Sequence, residues 1–505
     1  MHFYTTLNLS LMSKITDAVV RMYRTGTGDC FVVKFLAGDN EEFTMMIDGG
    51  TWSRNKAHLD RYVNDLKGWV NKHIDLLIVT HEHRDHVYLW DVCRDLLTDD
   101  FTVDKVWMAW TENDKVKKVK QWQKAYGQKK KALAVATSRL NAVLNDPALE
   151  AQINTEYNGM NMLAARRQFA GVLENFSGLH NEPLGVTGEY VGGLPGLKAI
   201  KNFAKNKIEY FCPGDIIENI AKLDGIKIYV LGPPMSWDEV KVQTRGKGES
   251  YDHNKELAGS DAFAAAVLRT GISDSSGLPF DEHDVLTNDV DPSRKSYTDK
   301  RNEWRNIDND WLYSAGRLAL RINSITNNLS LALAIEFEES GRVMLFPGDA
   351  EYGSWSSWHT INWSAPCRNG KPHFTEDLLS RTVFYKVAHH LSHHGTAERL
   401  GMAMLTHPDL SSMATLDYDA ISTNWQNTMP NRGLLKDLVK QTKGRLMVMN
   451  DARLFYDLSN TEPLREKIET ERGKMTAKDA KDFKGAYKED VLYLQYKVNG
   501  KGKMG

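Results

Sequence analysis

The sequence is poor in cysteine, with four among 505 residues. Cys30, Cys93, Cys212 and Cys367 lie far apart and form no Cys-x-x-Cys pair. That usage argues against a disulfide framework and against a thiolate zinc site, and suits a reducing compartment. An excess of either charge is lacking as well. Lys and Arg number 64 against 66 Asp and Glu, a formal net charge of -2, so no global field draws the chain to nucleic acid or membrane. Long apolar runs are missing too: no stretch reaches the roughly 18 residues that a spanning helix needs. The start, MHFYTTLNLSLMSK, has no basic segment followed by a continuous apolar run, as a signal peptide would. These absences predict a soluble cytoplasmic protein with no membrane partner, and leave its protein partners open.

What is present is a globular composition. Hydrophobic residues make up 41% and aromatics 10%, enough for a sizeable core in one large domain with insertions or in two to three ordinary ones. DAVVRMYRTGTGDCFVVKFL alternates apolar and polar residues around a Gly-rich turn, and EEFTMMIDGG reads as a further strand closed by two glycines. HIDLLIVT is a short continuous apolar run, as in a buried strand, HVYLWDVCRDLL has helical spacing, and DKVWMAW returns to strand. The chain therefore starts as α/β. Residues 111–205 change character and read as a helical insertion. Strand patterns resume at IEYFCPGD, IKIYVLGPP, LSLALAIEFEESGRVMLFPGD and TVFYKVAHH. A polar excursion over 235–310 is too long to be structureless and is a candidate lid. Residues 461–505 read as a C-terminal extension with a final strand at DVLYLQYKV.

The chemistry concentrates at LLIVTHEHRDHVYLW, residues 76–90. In an extended chain His81 and His83 point the same way, because side chains alternate with period two. Asp85 and His86 follow after the chain turns into the next helix. Two pairs of nitrogen and oxygen donors can then face one small volume. Imidazole and carboxylate are ligands of zinc, manganese or iron, and two such ions about 3.5–4 Å apart form a hydrolytic pair.

THEHRDH resembles the metal-binding loop of the metallo-β-lactamase superfamily, and further landmarks follow in order. MMIDGG resembles the strand whose terminal aspartate, here Asp48, supports the metal loop. VMLFPGDAE resembles the strand delivering a bridging aspartate, here Asp349. FYKVAHHLSHHGT resembles the late strand and histidine loop completing the second metal. Within the superfamily the likeness is greatest to the competence DNA-uptake channel proteins and their soluble relatives, through GTGDCF, TNNLSLALAI and HHLSHHGT, although Leu391 stands where their glycine follows the histidine pair. The resemblance implies an α/β fold, a four-layer αβ/βα sandwich over 15–460 carrying the helical insertion. It also implies two divalent ions, Zn or Mn, held by His81, His83, Asp85, His86, Asp349 and His390. His389 is the other candidate for the last ligand, and is assigned to substrate or the surrounding shell. Asp48, Asn328 and Ser330 would support the ligands. A third histidine between the loop and the bridging aspartate, common elsewhere in the superfamily, has no counterpart: His180, His253 and His283 follow no recognisable strand.

The implied reaction is metal-assisted hydrolysis, with Asp85, Asp349 and His389 as catalytic groups. Residues 115–139 add eight lysines and one arginine with no acid, and Trp122 and Tyr126 interleaved. Clustered cations with stacking rings suit a phosphate backbone and its bases. Lys129, Lys130, Lys131, His393 and His394 are the expected substrate contacts. A nucleic acid or nucleotide is thus the expected substrate, against a small lactone or thioester, or a binding module without catalysis.

Overall fold

The computed structural model describes residues 14–52, 55–144, 195–242, 296, 299, 301, 310–365, 367–368, 373–418, 421, 429–450 and 464–502. The chain forms two compact units. Met1–Glu112, Pro195–His253 and Asn327–Gly505 make the first, and Asn113–Leu194 with Asn254–Thr326 the second.

In the first unit the alternating runs DAVVRMY, FVVKFLA and NEEFTMMI form antiparallel strands β1 (Asp17–Tyr23), β2 (Phe31–Ala37) and β3 (Asn40–Ile47). The apolar run HIDLLIV forms β4 (His73–Val79), pairing in parallel with β3 and with β5 (Thr102–Ala109). Strands buried on both faces lack alternation, which is why β4 reads as a continuous hydrophobic stretch. β6 (Ile208–Phe211) extends this parallel half. A second sheet starts with the antiparallel strands β7 (Ile216–Ile217), β8 (Ile226–Val230), β9 (Leu333–Phe337) and β10 (Val343–Phe346). It continues in parallel through β11 (Thr382–Lys386), β12 (Ser411–Asp417) and β13 (Leu446–Asn450). Helices Tyr352–Trp358, Phe374–Ser380 and Arg432–Gln441 make the crossovers that parallel neighbours require.

The chain ends with β14 (Tyr487–Glu489) and β15 (Tyr493–Asn499), and β15 pairs with β1 from Asp17↔Asn499 to Tyr23↔Tyr493. The sheets run β14-β15-β1-β2-β3-β4-β5-β6 and β13-β12-β11-β10-β9-β8-β7. Residues 464–502 are therefore no appendage. The last strand covers an edge of β1 whose backbone groups would otherwise be open to pairing.

The two sheets share one core, in which Phe31, Ile47, Leu76, Ile78 and Trp107 of the first meet Ile335, Phe346, Phe384 and Met413 of the second. Phe31 and Phe346 meet edge to face across it, with centroids 6.2 Å apart. The other face of the second sheet packs on the crossover helices through Trp355, Trp358, Leu378 and Leu434. The tryptophans of YGSWSSWH are thus core. This is a mixed α/β protein with two sheets and helices. The parallel strands β3, β4, β10 and β11 end near one another, and the candidate site is built on those ends.

In the second unit KKVKQWQKAYGQKKKALAVATSRLNAVL forms the helix Lys117–Leu144, and Asp310–Asn327 forms another whose last residue belongs to the first unit. The Tyr126 hydroxyl donates to the Ile322 carbonyl at 2.7 Å. The expected insertion and excursion overlap the segments of this unit, but residues 195–205 fall in the first. Residues 145–194 and nearly all of 235–310 beyond Val242, the candidate lid, lie outside the described residues, as do His180, His253 and His283. Among the described residues no helix is long and apolar enough to cross a membrane.

Candidate metal centre

Asp48 follows β3 in the left-handed region, at φ 58, a conformation that aspartate tolerates better than most residues. Its carboxylate accepts from the Thr80 amide at 2.8 Å and the Thr80 hydroxyl at 2.6 Å, which locks the end of β4. From there the chain passes His81 and His83 into the short helix Arg84–Val87. This turn lies directly on the Gly49–Gly50 backbone: Gly49 N–H donates to the His86 carbonyl at 2.7 Å. A Cβ at Gly50 would stand 2.0 Å from the Asp85 carbonyl carbon, so the IDGG glycine is required by close approach. Asp349 follows the turn Pro347-Gly348, and Gly348, at φ 60, leaves room for Ser330 and Thr80.

The loops bring Asp85, His86, Asp349 and His390 together, all buried, with ligand atoms within 4.8 Å of one another. Asp349 Oδ2 lies 3.1 Å from His86 Nε2 and 3.2 Å from His390 Nε2, and Asp85 Oδ2 is 3.1 Å from His390 Nε2. The Nδ1 atom of each ring is held from behind. His86 Nδ1 lies 2.7 Å from Asp48 Oδ2, and His390 Nδ1 lies 2.7 Å from the Thr415 hydroxyl, which donates to Asp29 Oδ1 at 2.7 Å. Such partners fix the ring and turn its Nε2 lone pair inward, as in carboxylate–histidine–metal arrangements. Asp85 Oδ1 is buried without a hydrogen bond, and His86 Nε2 has the Asp349 carboxylate as its ion-pair partner. Two imidazoles and two carboxylates, with Asp85 Oδ1 unsatisfied, fit a divalent cation.

Electrostatics agree with that fit. Burial alone would lower the pKa of His86, but Asp349, Asp48 and Asp29 outweigh it and raise it well above the ordinary value. For His390, burial is likewise outweighed, by Asp349 and Asp85, and its pKa rises to about 9. Asp349 is held well below the usual carboxylate range because His390, His86 and Lys386 overcome its burial. The group demands positive charge.

His81 and His83 adjoin it, His81 Nε2 lying 2.9 Å from His83 Nδ1 and the His81 ring centre 4.1 Å from that of His86. Ser330 Oγ and Thr80 Oγ1 approach His81 Nδ1 at 3.2 and 3.1 Å. Ser330 also accepts from the Asp349 amide, so it touches two of the expected ligand residues. Asn328 touches none of them. Its side-chain oxygen accepts from the Glu351 and Ser354 amides and its nitrogen donates to Val240, holding the chain just past Asp349. Between the two late histidines the geometry selects His390 for the group. His389 turns towards Glu351, its Nδ1 3.4 Å from the carboxylate, and lies 3.4 Å from the Asn327 amide. His389, His390 and Leu391 all have left-handed backbone, Leu391 at φ 66, which for non-glycine residues costs about 1–2 kcal/mol each. Strain of this kind collects at functional sites. His393 and His394 are half-buried, with ring centroids 3.9 Å apart.

The lysines differ from expectation. Lys130 is buried at 3% exposure, its ammonium 4.6 Å from the Tyr126 ring centre, and burial lowers its pKa to about 7. It does not belong to a solvent-facing patch, and Lys129 and Lys131 are only half-exposed. The open basic positions lie upstream, at Lys115, Lys117, Lys118, Lys120 and Lys124. Trp122 and Tyr126 stack on one another at 4.7 Å.

Sequence reasoning missed Asp29, Trp52, Thr415, Glu351 and Lys386. Asp29 was visible in GTGD without a role. Lys386 was a charge inside an apolar strand, a signal of a buried partner. Trp52, whose indole donates to Asp85 Oδ2 at 2.8 Å, and Thr415 carried no signal.

No curated protein matches the chain. The buried His/Asp group is one that could hold a metal ion. Residues 23–96, which take in Asp29, Asp48 and the whole His81–His86 loop, match the model of the Metallo-beta-lactamase superfamily.

Proposed function

We propose that the chain is a metal-dependent phosphodiesterase or nuclease, akin to the soluble relatives of competence DNA-uptake proteins and with their four-layer αβ/βα layering. The observation that carries it is the convergence of Asp85, His86, Asp349 and His390, four buried groups with ligand atoms within 4.8 Å of one another. A cation there supplies Lewis-acid chemistry, lowering the pKa of water towards about 7 and stabilising charge on oxygen. Asp85 has Oδ2 tied to Trp52 and His390, which leaves Oδ1 as the oxygen that would hold the cation. His81 and His83 form a second, poorer cation position. His389, beside Glu351, is our candidate for a substrate-facing catalytic group. The run of exposed lysines from 115 to 124 favours a polyanion over a neutral ester.

The test is metal analysis of the purified chain, followed by assay with Zn and with Mn on bis-p-nitrophenyl phosphate, single- and double-stranded DNA, RNA and a lactone. Asp349→Ala is expected to abolish phosphodiester turnover. Turnover of the lactone alone would move the reading to small carbonyl substrates, and full activity in Asp349→Ala would remove the site assignment.

A further inference from the structure

Lys386 ends β11 with 1% exposure, and no role above uses it. An ammonium has three N–H groups, and this one has three acceptors. It forms an ion pair with Asp29 Oδ2, lies 3.2 Å from Asp349 Oδ1 and donates to the Gly348 carbonyl at 2.8 Å. Asp29 is itself a fixed post, accepting from Thr415 and donating its amide to the Asp85 carbonyl at 2.8 Å. The two oxygens of Asp349 are thereby divided. Oδ2 faces His86 and His390, and Oδ1 faces the lysine.

We propose that Lys386 is a positioning residue that makes Asp349 a one-oxygen ligand. The chain then holds one divalent cation tightly at Asp85, His86, Asp349 and His390, and a second at His81 and His83 only weakly. The inference rests on the metal reading above. A carboxylate that bridges two cations lends an oxygen to each, and here one oxygen is already engaged by a fixed positive charge. That charge also repels a further cation, strongly in an interior of low effective dielectric. Moving the lysine aside would strand a buried ion between two carboxylates that have lost their partner, which is costly.

The experiment is calorimetric titration of the metal-stripped full-length chain with zinc chloride, with metal content measured after desalting. The wild type is expected to retain one ion, the second binding at least about tenfold more weakly, the range over which groups behind a ligand tune affinity. Lys386→Met should narrow that gap by about tenfold by freeing Oδ1, while Lys386→Arg, which keeps the charge, should preserve it. Asp29→Asn loosens the lysine's anchor and should narrow the gap in the same direction if the methionine variant fails to fold. Two ions of equal affinity in the wild type overturn the proposal whatever the variants do, and so does an unchanged gap in folded Lys386→Met. A wild type that takes no ion at all overturns the metal reading itself, and this inference with it.

Discussion

One six-residue loop places histidines in two opposite electrostatic settings. His86, joined by His390, lies among Asp85, Asp349, Asp48 and Asp29, and both rings are biased towards the protonated form. His81 and His83 are equally buried but face imidazole. Burial, and then the neighbouring histidines, hold His81 well below its ordinary value. His83 is lowered to about 3 by burial, which Asp85 only partly opposes. His86 shares residue type and loop with His81 and His83, so carboxylate placement decides the difference. A site that pulls protons in where a metal belongs is one that exchanges protons for metal. A pair already neutral offers lone pairs but little attraction for charge.

The sharpest way to break this contrast is to remove one histidine from each set. His86→Ala should weaken binding of the tight zinc ion by on the order of a hundred- to a thousandfold, more than the 10–100-fold typical of supporting residues. His81→Ala should leave that ion within a few-fold of wild type while lowering turnover. Equal losses in calorimetry would show that the two pairs form a single site.

Proton release gives the next largest effect. His390, at about 9, and His86, raised well above its ordinary value, carry protons in the metal-free chain near neutrality, and a cation must displace them. Affinity should therefore rise with pH between about 6 and 8, roughly tenfold per unit for each proton displaced. His83 is already neutral in that window and contributes no proton. Titrations in buffers of different ionisation enthalpy count the protons. A count of zero would mean that His86 and His390 are not ligands.

Asp48→Asn tests how the contrast is imposed. The amide keeps its size but cannot accept as a carboxylate from both Thr80 and His86, so zinc affinity should fall about 10–100-fold with the fold retained. Wild-type affinity in that variant would leave Asp48 with only its role at the end of β4.

Asp48, Asp349 and the loop histidines were legible in the sequence because each sits at the end of an apolar strand, where polarity changes abruptly. The choice between His389 and His390 was not. It depends on three consecutive left-handed residues, and the expected glycine is a leucine in the left-handed region that glycine favours. Lys386, Asp29 and Thr415 meet only after strands far apart in the chain are placed together, and no local pattern records that meeting. The same holds for β15 on β1, a pairing of residue 17 with residue 499. Local periodicity announced the strand but not its neighbour.

The basic helix repeats the lesson at lower stakes, since three consecutive lysines again differ by burial. Lys130 is the buried one, and a buried amine with a pKa of about 7 offers little charge to a phosphate. On the proposed nucleic-acid reading, replacing Lys130 with methionine should leave the salt dependence of binding unchanged. The exposed Lys117, Lys118, Lys120 and Lys124 should carry it. Counterion release makes log K fall with log salt by about 0.7–0.9 per phosphate contact, so replacing these four by alanine should flatten the slope by up to about 3. A double variant at Lys129 and Lys131, half-exposed, should flatten it by less than 2 in the same accounting. Fluorescence anisotropy with a labelled single strand across salt concentrations measures all three. If Lys130→Met flattens the slope as much as the exposed set, burial does not decide which charges act, and the contrast drawn from the histidines does not extend to this helix.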